Sequence, residues 1–277
     1  DDEIPHTPQF QSGDFTWKSY GIKDKDLYLY DTSGWYKIKP HEIKRLIERI
    51  QELNPDAIGM SCLSHAMSLA EEVIIELRKH FNVPILIGGV GSITEPEKAI
   101  KFADVACTGE GEQVIVEIAN RLEKKESLSG IIGTYFRQEN GEIQRNPKAK
   151  VTDLSGLAMP IYDNSHYTFI NGAHFIRESE HNYRMEDKSY TIMTQRGCPF
   201  SCSFCIESFL QNEFGKKEHL RRVNVDRAIK ELKYAKEVLG HTVVAFWDDV
   251  FPINPEWLDE FLPRYKTEID LPFFCYT

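Results

Sequence analysis

The first half of the chain alternates short apolar runs with stretches of helical period. AIGMS (57–61), PILIG (84–88) and DVACT (104–108) are continuous apolar runs of strand length, and LYLYD (27–31) reads as a strand ahead of them. HEIKRLIERIQEL (41–53) brings Ile43, Leu46, Ile47, Ile50 and Leu53 onto one helical face, and further helical patterns begin near Leu69, Pro96 and Glu112. Asn54-Pro55 and Asn82-Val83-Pro84 punctuate the helix-to-strand turns. Apolar strands separated by helices predict a parallel sheet covered on both faces. Such a domain usually opens on a strand before its first crossover helix. Residues 1–20 are polar and irregular, so an opening strand and helix are expected to precede this sequence.

The pattern changes after residue 130. IIGTYFRQENGEIQ (131–144) reads as a hairpin turning on Asn140-Gly141, a pair that supplies the positive φ values of a tight turn. VTDLSGLAMPIYDNSHY (151–167) has Pro, Gly and Asp punctuation without period and reads as a linker. Alternation returns at SYTIMTQ (189–195), a strand, followed by the helix DRAIKELKYAKEVLG (226–240). That helix turns Ile229, Leu232, Ala235 and Leu239 inward and stops at Gly240. TVVAFW (242–247) is the next strand, and NPEWLDEFL (254–262) opens a helix with an Asn cap and Pro in its first turn. LPFFCYT (271–277) reads as a third strand. The expected fold is α/β: a doubly wound, Rossmann-like domain over residues 1–150, a linker over 151–188, and the opening part of a (β/α) barrel over 189–277. Three βα units ending on a buried strand make an unfinished sheet, so the barrel is expected to continue past this sequence.

Composition adds limits. A chain of 277 residues has room for two domains, and 41% hydrophobic with 27% charged residues is ordinary for a soluble globular protein. No apolar run reaches the roughly 18–20 residues of a membrane span. The DDEIPH start lacks the basic-then-apolar order of a signal peptide. The expectation is a cytoplasmic protein without a membrane partner. A formal charge of −10 argues against a nucleic-acid partner.

The cysteines carry the chemistry. Cys62, Cys107 and Cys275 lie in or beside apolar runs and read as small buried hydrophobes. Cys198, Cys202 and Cys205 fall within QRGCPFSCSFC (195–205), too close together for a regular disulfide framework. A structural zinc site would want four ligands, and the nearest further candidates, His219 and Cys275, lack zinc-finger spacing. A four-iron cluster also normally takes four thiolates, so three would leave one iron open to a small molecule.

The CxxxCxxC spacing, the RGCP setting, the preceding strand and an aromatic, Phe204, before the last cysteine resemble the radical S-adenosylmethionine (SAM) enzymes. The resemblance implies a 4Fe-4S cluster held by Cys198, Cys202 and Cys205. It also implies SAM on the open iron, cleaved reductively to methionine and a 5′-deoxyadenosyl radical. FWDDVF (246–251) places Asp248 and Asp249 after the second strand, where the resemblance implies a SAM contact for one of them; a turn or a helix cap before Pro252 is the other reading. Arg221 and Arg222 stand where related enzymes place an arginine near SAM, with a solvated charge pair as the alternative; Glu207 and Ser208 could line the pocket.

LIGGVGSITEPEKAI (86–100) followed by ADVACTGEGE (103–112), ahead of such a half, is similar to the cobalamin-binding domain found in one branch of that superfamily. This implies cofactor contacts from Ser61, Gly88, Gly89, Gly91, Gly109, Glu110 and Gly111. A tight βα turn is the structural alternative for the glycines. The DxHxxG motif that supplies a cobalt-ligating histidine is absent, and His65 lacks its Asp and Gly. The function implied is methylation of an unactivated carbon by a cobalamin-dependent radical SAM enzyme. A small-molecule or peptide substrate and a reductant such as flavodoxin or ferredoxin would be its partners. Ring closure or another rearrangement, a first domain without cobalamin, and a non-catalytic metal-binding or electron-transfer protein stay open as alternatives.

Overall fold

The computed structural model describes residues 40–160, 168–171, 174–177 and 189–277. The LYLYD run, residues 1–20 and part of the expected linker lie outside them. The chain divides into one unit comprising Asp1–Thr108, Tyr135–Arg145 and Phe169–Ile176, and another comprising Gly109–Thr134, Asn146–Thr168 and Arg177–Thr277.

The first unit runs α1 (Pro40–Leu53), β1 (Ile58–Ser61), α2 (Met67–Leu77), β2 (Ile85–Gly88), α3 (Val90–Thr94), α4 (Pro96–Ala99) and β3 (Val105–Cys107). After α5 (Gly111–Glu123), which counts with the second unit, come β4 (Thr134–Arg137) and β5 (Ile143–Arg145). The pair β6 (Thr168–Asn171) and β7 (His174–Arg177) follows. The main sheet has the order β1-β2-β3-β4-β5. β1, β2 and β3 are parallel, and β4–β5 is the expected antiparallel hairpin, turning at Gly141 with φ 85°. The unit is Rossmann-like, as the alternation of runs and helices requires. Ile85, Ile87 and Ala106 face a core with Val73, Ile74 and Leu77 of α2, while Leu86 and Val105 are buried on the opposite side of the pleat. One expectation fails at the end of α1. Ile50 is buried, but Leu53 is 60% exposed, because Asn54 (φ 43°) ends the helix beyond the edge of the core.

Asp104, just ahead of β3, ties this unit together. Its carboxylate accepts from the Ile85 backbone N–H at 2.8 Å, from Arg137 at 3.1 Å and from Arg78. Burial pushes its pKa up, but these donors outweigh burial and hold it below the ordinary carboxylate value. A depressed folded pKa contributes stability that is complete above the unfolded value, about 3.9, and is lost as pH falls through the folded one. Asp104→Asn is therefore expected to cost about 1–3 kcal/mol at neutral pH and to flatten the acid limb of the stability profile. Urea unfolding from pH 3 to 7, followed by circular dichroism, would show this; an unchanged acid limb would remove Asp104 from the account.

The second unit, beyond α5, runs β8 (Ser189–Ile192), β9 (Gln195–Arg196), α6 (Ile206–Phe214), α7 (Lys216–His219), β10 (Arg221–Arg222), α8 (Val225–Glu237), β11 (Val243–Phe246), α9 (Pro255–Arg264) and β12 (Phe273–Cys275). β8, β11 and β12 form a parallel sheet of order β12-β11-β8, so α8 and α9 are its crossovers. Asn224 and Asn254 cap them, accepting from the Arg227 and Trp257 N–H groups at 2.8 and 3.1 Å. The core is aromatic: fully buried Phe246 lies 4.4 Å from Phe251 and 5.4 Å from Phe273, ring centre to ring centre. The run expected as one strand over 189–195 breaks at Ile192. Gln195 and Arg196 pair instead with Arg222 and Arg221 in a short antiparallel ladder. No helix among the described residues is long and apolar enough to cross a membrane.

Candidate functional site

The cysteine loop leaves β9 at Gly197 and ends at Cys205, which caps the N-terminus of α6 in an extended conformation. Its backbone is stitched from within. The Gln211 side-chain amide, on the second turn of α6, donates to the carbonyls of Cys198 at 2.6 Å and Phe200 at 2.8 Å. The Cys202 carbonyl accepts from the Cys205 N–H at 3.0 Å and from Ser208 Oγ at 2.7 Å. Gln195 Nε2 donates to the Gly197 carbonyl at 2.9 Å. All three thiols are free: Cys198 is buried, Cys205 half-buried and Cys202 exposed. Burial pushes the Cys198 thiol above its ordinary value, and the negative charges of Asp249 and Glu207 add to this. Among the described residues no three His, Cys, Asp or Glu side chains are gathered closely enough to hold an ion. The donor chemistry nonetheless fits iron: three thiols outside any disulfide on one short loop, with its backbone fixed by bonds to carbonyl oxygens. Phe204 is 91% exposed beside them.

Asp248 and Asp249, expected as alternatives, differ in burial just past the carboxyl end of β11. Asp248 has no exposed surface. Its carboxylate accepts from Thr194 Oγ1 and from the Gln195 N–H, both at 2.6 Å, and pairs with Arg222 at 3.6 Å. Burial raises its pKa even against these donors. Both oxygens are thus engaged in holding the β8–β9 junction to β11. Asp249 is exposed; lost hydration and the charges of Glu207 and Asp248 raise its pKa. It is the member of the pair whose carboxylate is open at the strand ends.

The arginines separate in the same way. Arg222 lies over Trp257 at 4.5 Å and Phe251 at 5.3 Å and donates to the Phe251 carbonyl at 2.6 Å. Burial lowers its pKa, with Asp248 opposing. Arg221 pairs with Glu110 of the GEGE turn, which also accepts from Arg196 at 3.0 Å and from the Thr152 N–H at 2.6 Å. Arg196 bonds Glu112 as well. The GEGE glutamates are thus spent on the two arginines that flank the cysteine loop in sequence. Gly109 lies against Phe214, while a side chain at Gly111 would meet nothing within 4 Å.

In the first unit, Gly89 and Gly91 let two strand-end loops meet. A Cβ at Gly89 (φ 83°) would stand 2.6 Å from the Cys62 carbonyl oxygen, and one at Gly91 would stand 2.9 Å from Met67 Sδ. At Gly88 the nearest atom would be Cys107 Cβ at 3.7 Å, ordinary contact, so no packing there demands glycine. Ser61 and His65 are exposed near these loops, and Thr108 Oγ1, at the end of β3, is buried without a hydrogen-bond partner. An orphaned hydroxyl and an unforced glycine at the carboxyl ends of parallel strands fit the place where such sheets take ligands. Of the three other cysteines, Cys62 is buried as expected, whereas Cys107 and Cys275 are half-exposed. The residues that sequence alone did not single out are Thr194, Gln195 and Gln211. Gln211 could have been found from the spacing of Glu207, Leu210 and Gln211 on one buried face of α6.

Residues 36–119 match the B12 binding domain family. Over 225 residues the chain is 28% identical to an uncharacterized methyltransferase, PH0819, of Pyrococcus horikoshii, covering 79% of this chain and 45% of that protein. Over 171 residues it is 25% identical to the anaerobic magnesium-protoporphyrin IX monomethyl ester cyclase of Rubrivivax gelatinosus, covering 58% of this chain and 28% of the cyclase. The chain thus spans less than half the length of these relatives. Among solved structures it is similar in fold to the cobalamin-dependent SAM radical enzyme OxsB with aqua-cobalamin and SAM bound. The TM-score is 0.57 and the identity 20%, over 78% of this chain and 29% of that one. The radical SAM methyltransferase TsrM of Kitasatospora setae, with cobalamin and a [4Fe-4S] cluster bound, gives a TM-score of 0.57 at 21% identity, over 83% of this chain and 44% of that one. In fold the chain resembles cobalamin-dependent radical SAM enzymes.

Proposed function

We propose that this chain is the cofactor-bearing part of a radical SAM enzyme that uses cobalamin to methylate an unactivated carbon. The observation that carries the reading is a loop of three free cysteines following the first strand of a parallel sheet, with an exposed carboxylate at the carboxyl end of the adjacent strand. Cys198, Cys202 and Cys205 would hold a 4Fe-4S cluster. Asp249, rather than Asp248, would meet the SAM ammonium, because Asp248 is already fully bonded within the protein. Ser61, Gly88 and Thr108 would face cobalamin. When bound, the cluster and cobalamin supply electron transfer and methyl transfer; the protein's part is to hold and orient them and to keep water out. Arg196, Arg221 and Glu110 would support the cysteine loop, because each ion pair they make fixes a segment next to it. The likeness to a cyclase supports ring closure as a second reading on the same cofactors.

Anaerobic reconstitution with iron and sulfide tests the reading. About four irons per chain are expected, with a spectrum that changes when SAM is added, release of 5′-deoxyadenosine under reduction, and cobalamin retained through desalting. Zinc in place of iron would end it. Cluster formation without cobalamin retention would leave a radical SAM enzyme whose first domain has another use.

A further inference from the structure

Gln211 of α6 ties the Cys198 and Phe200 carbonyls, and Ser208 ties that of Cys202. A second tie comes from beyond α6 and reaches the residues that flank the first and last cysteines. His219, the last residue of α7, is 8% exposed at its side chain, and its Nε2 lies 2.7 Å from Glu207 Oε2, itself only 10% exposed. Glu207 stands two residues after the last cysteine. The same histidine packs on Gly197, the residue before the first cysteine. A Cβ at Gly197 (φ 87°) would stand 2.6 Å from the His219 carbonyl oxygen and 2.9 Å from its ring Cδ2. The ring is held from behind by Phe214, stacked at 5.9 Å and 15°.

We propose that His219 is a positioning residue for the cysteine loop, a clasp that fixes both of its ends at once by bonding Glu207 and packing on Gly197. The bond to Glu207 takes up Nε2, so this nitrogen of His219 serves the loop. The reading of the loop as the holder of a metal cluster rests on the proposed function; the clasp itself is a property of the metal-free chain.

Amide hydrogen exchange of the metal-free protein, resolved by peptide mass spectrometry, tests this without any cofactor. His219→Ala leaves Glu207 buried without its partner, and exchange across residues 197–205 is expected to quicken about tenfold, with peptides from α8 and β11 unchanged. Glu207→Ala removes the same bond from the other side and is expected to give the same local signature. His219→Gln, whose amide can donate to Glu207 in place of Nε2, is expected to restore most of the protection. Wild-type exchange in this segment of a folded alanine variant would overturn the clasp, as would equal acceleration throughout the second unit. If neither alanine variant folds, His219→Phe, which keeps a ring and loses the bond, takes their place with the same two outcomes. Failure of the wild-type protein to take up iron would overturn the cluster reading and leave this result standing.

Discussion

Asp248→Ala is expected to destabilise the second unit by about 3–5 kcal/mol at neutral pH, the largest stability loss foreseen for any single polar residue here. Three donors converge on this carboxylate: Thr194 Oγ1, the Gln195 N–H and Arg222. Alanine removes the acceptor of Thr194 and Gln195 and the counter-charge of Arg222, whose guanidinium keeps its bond to the Phe251 carbonyl but already carries two buried nitrogens, Nε and Nη1, without hydrogen-bond partners. Its stacking on Trp257 does not replace a counter-charge. Asp248→Asn keeps a carbonyl acceptor and loses the charge, so it is expected to cost about 1–3 kcal/mol. Trp257, in contact with Arg222, reports the unit directly through its fluorescence in urea. A loss below about 1 kcal/mol for the alanine variant would put the junction's strength elsewhere, since that is the scale of an exposed pair. The pH dependence has a definite sign. Burial raises this carboxyl above its unfolded value, so the native unit binds the proton more tightly than the unfolded chain does. Its stability therefore falls as pH rises from the unfolded value, about 3.9, through the raised folded one, and levels off above that. Asp104 in the first unit has the opposite slope, and Asp248→Asn should lack the falling limb.

Asp248 also marks the limit of what could be read without coordinates. Strands and long helices were legible because their apolar period is repeated over many residues: β1, β2, β3, β8, β11, α1, α8 and α9 all fall within a few residues of their expected bounds. The segments missed were short or irregular. α6 and α7 follow a loop, and the break at Ile192 has no apolar signature. α9 passes into a wide turn at Tyr265–Ile269 just past Pro263, a change of hydrogen-bond spacing that period alone does not reveal. At the site, cysteine spacing was readable because ligand chemistry dictates it. The roles within charged pairs were not. Two adjacent aspartates in a strand-end turn differ only in which one faces inward, and two adjacent arginines likewise. Beyond β11 the backbone buries Asp248 beside Arg222 and leaves Asp249 exposed. Glu110 and Glu112 looked like part of a glycine-rich ligand turn, yet their partners are Arg196 and Arg221, more than 80 residues on. Pairings at that distance leave no local pattern.

Cys202→Ala is expected to reduce bound iron to trace levels after reconstitution and to abolish reductive SAM cleavage. Losing a residue that merely orients a ligand typically costs about 10–100-fold in metal affinity, and the loss of a thiolate itself must exceed that. Cys202 is also the position where the result can be read as chemistry rather than as misfolding. Cys198 is buried, and its replacement would leave a void beside the Gln211 bonds. Cys205 caps α6. Cys202 is exposed, and the bonds that fix it, from the Cys205 N–H and Ser208 Oγ, both end on its carbonyl. Alanine keeps that carbonyl, so the loop backbone should stay as it is while one sulfur disappears. Hydrogen exchange of residues 197–205 in the metal-free variant should then match the wild type, separating this loss from that of His219→Ala. Cys275→Ala and Cys107→Ala, both outside the loop, should bind iron normally. Iron retained by Cys202→Ala but lost from Cys275→Ala would move the ligand set to the third strand and break the assignment of the loop.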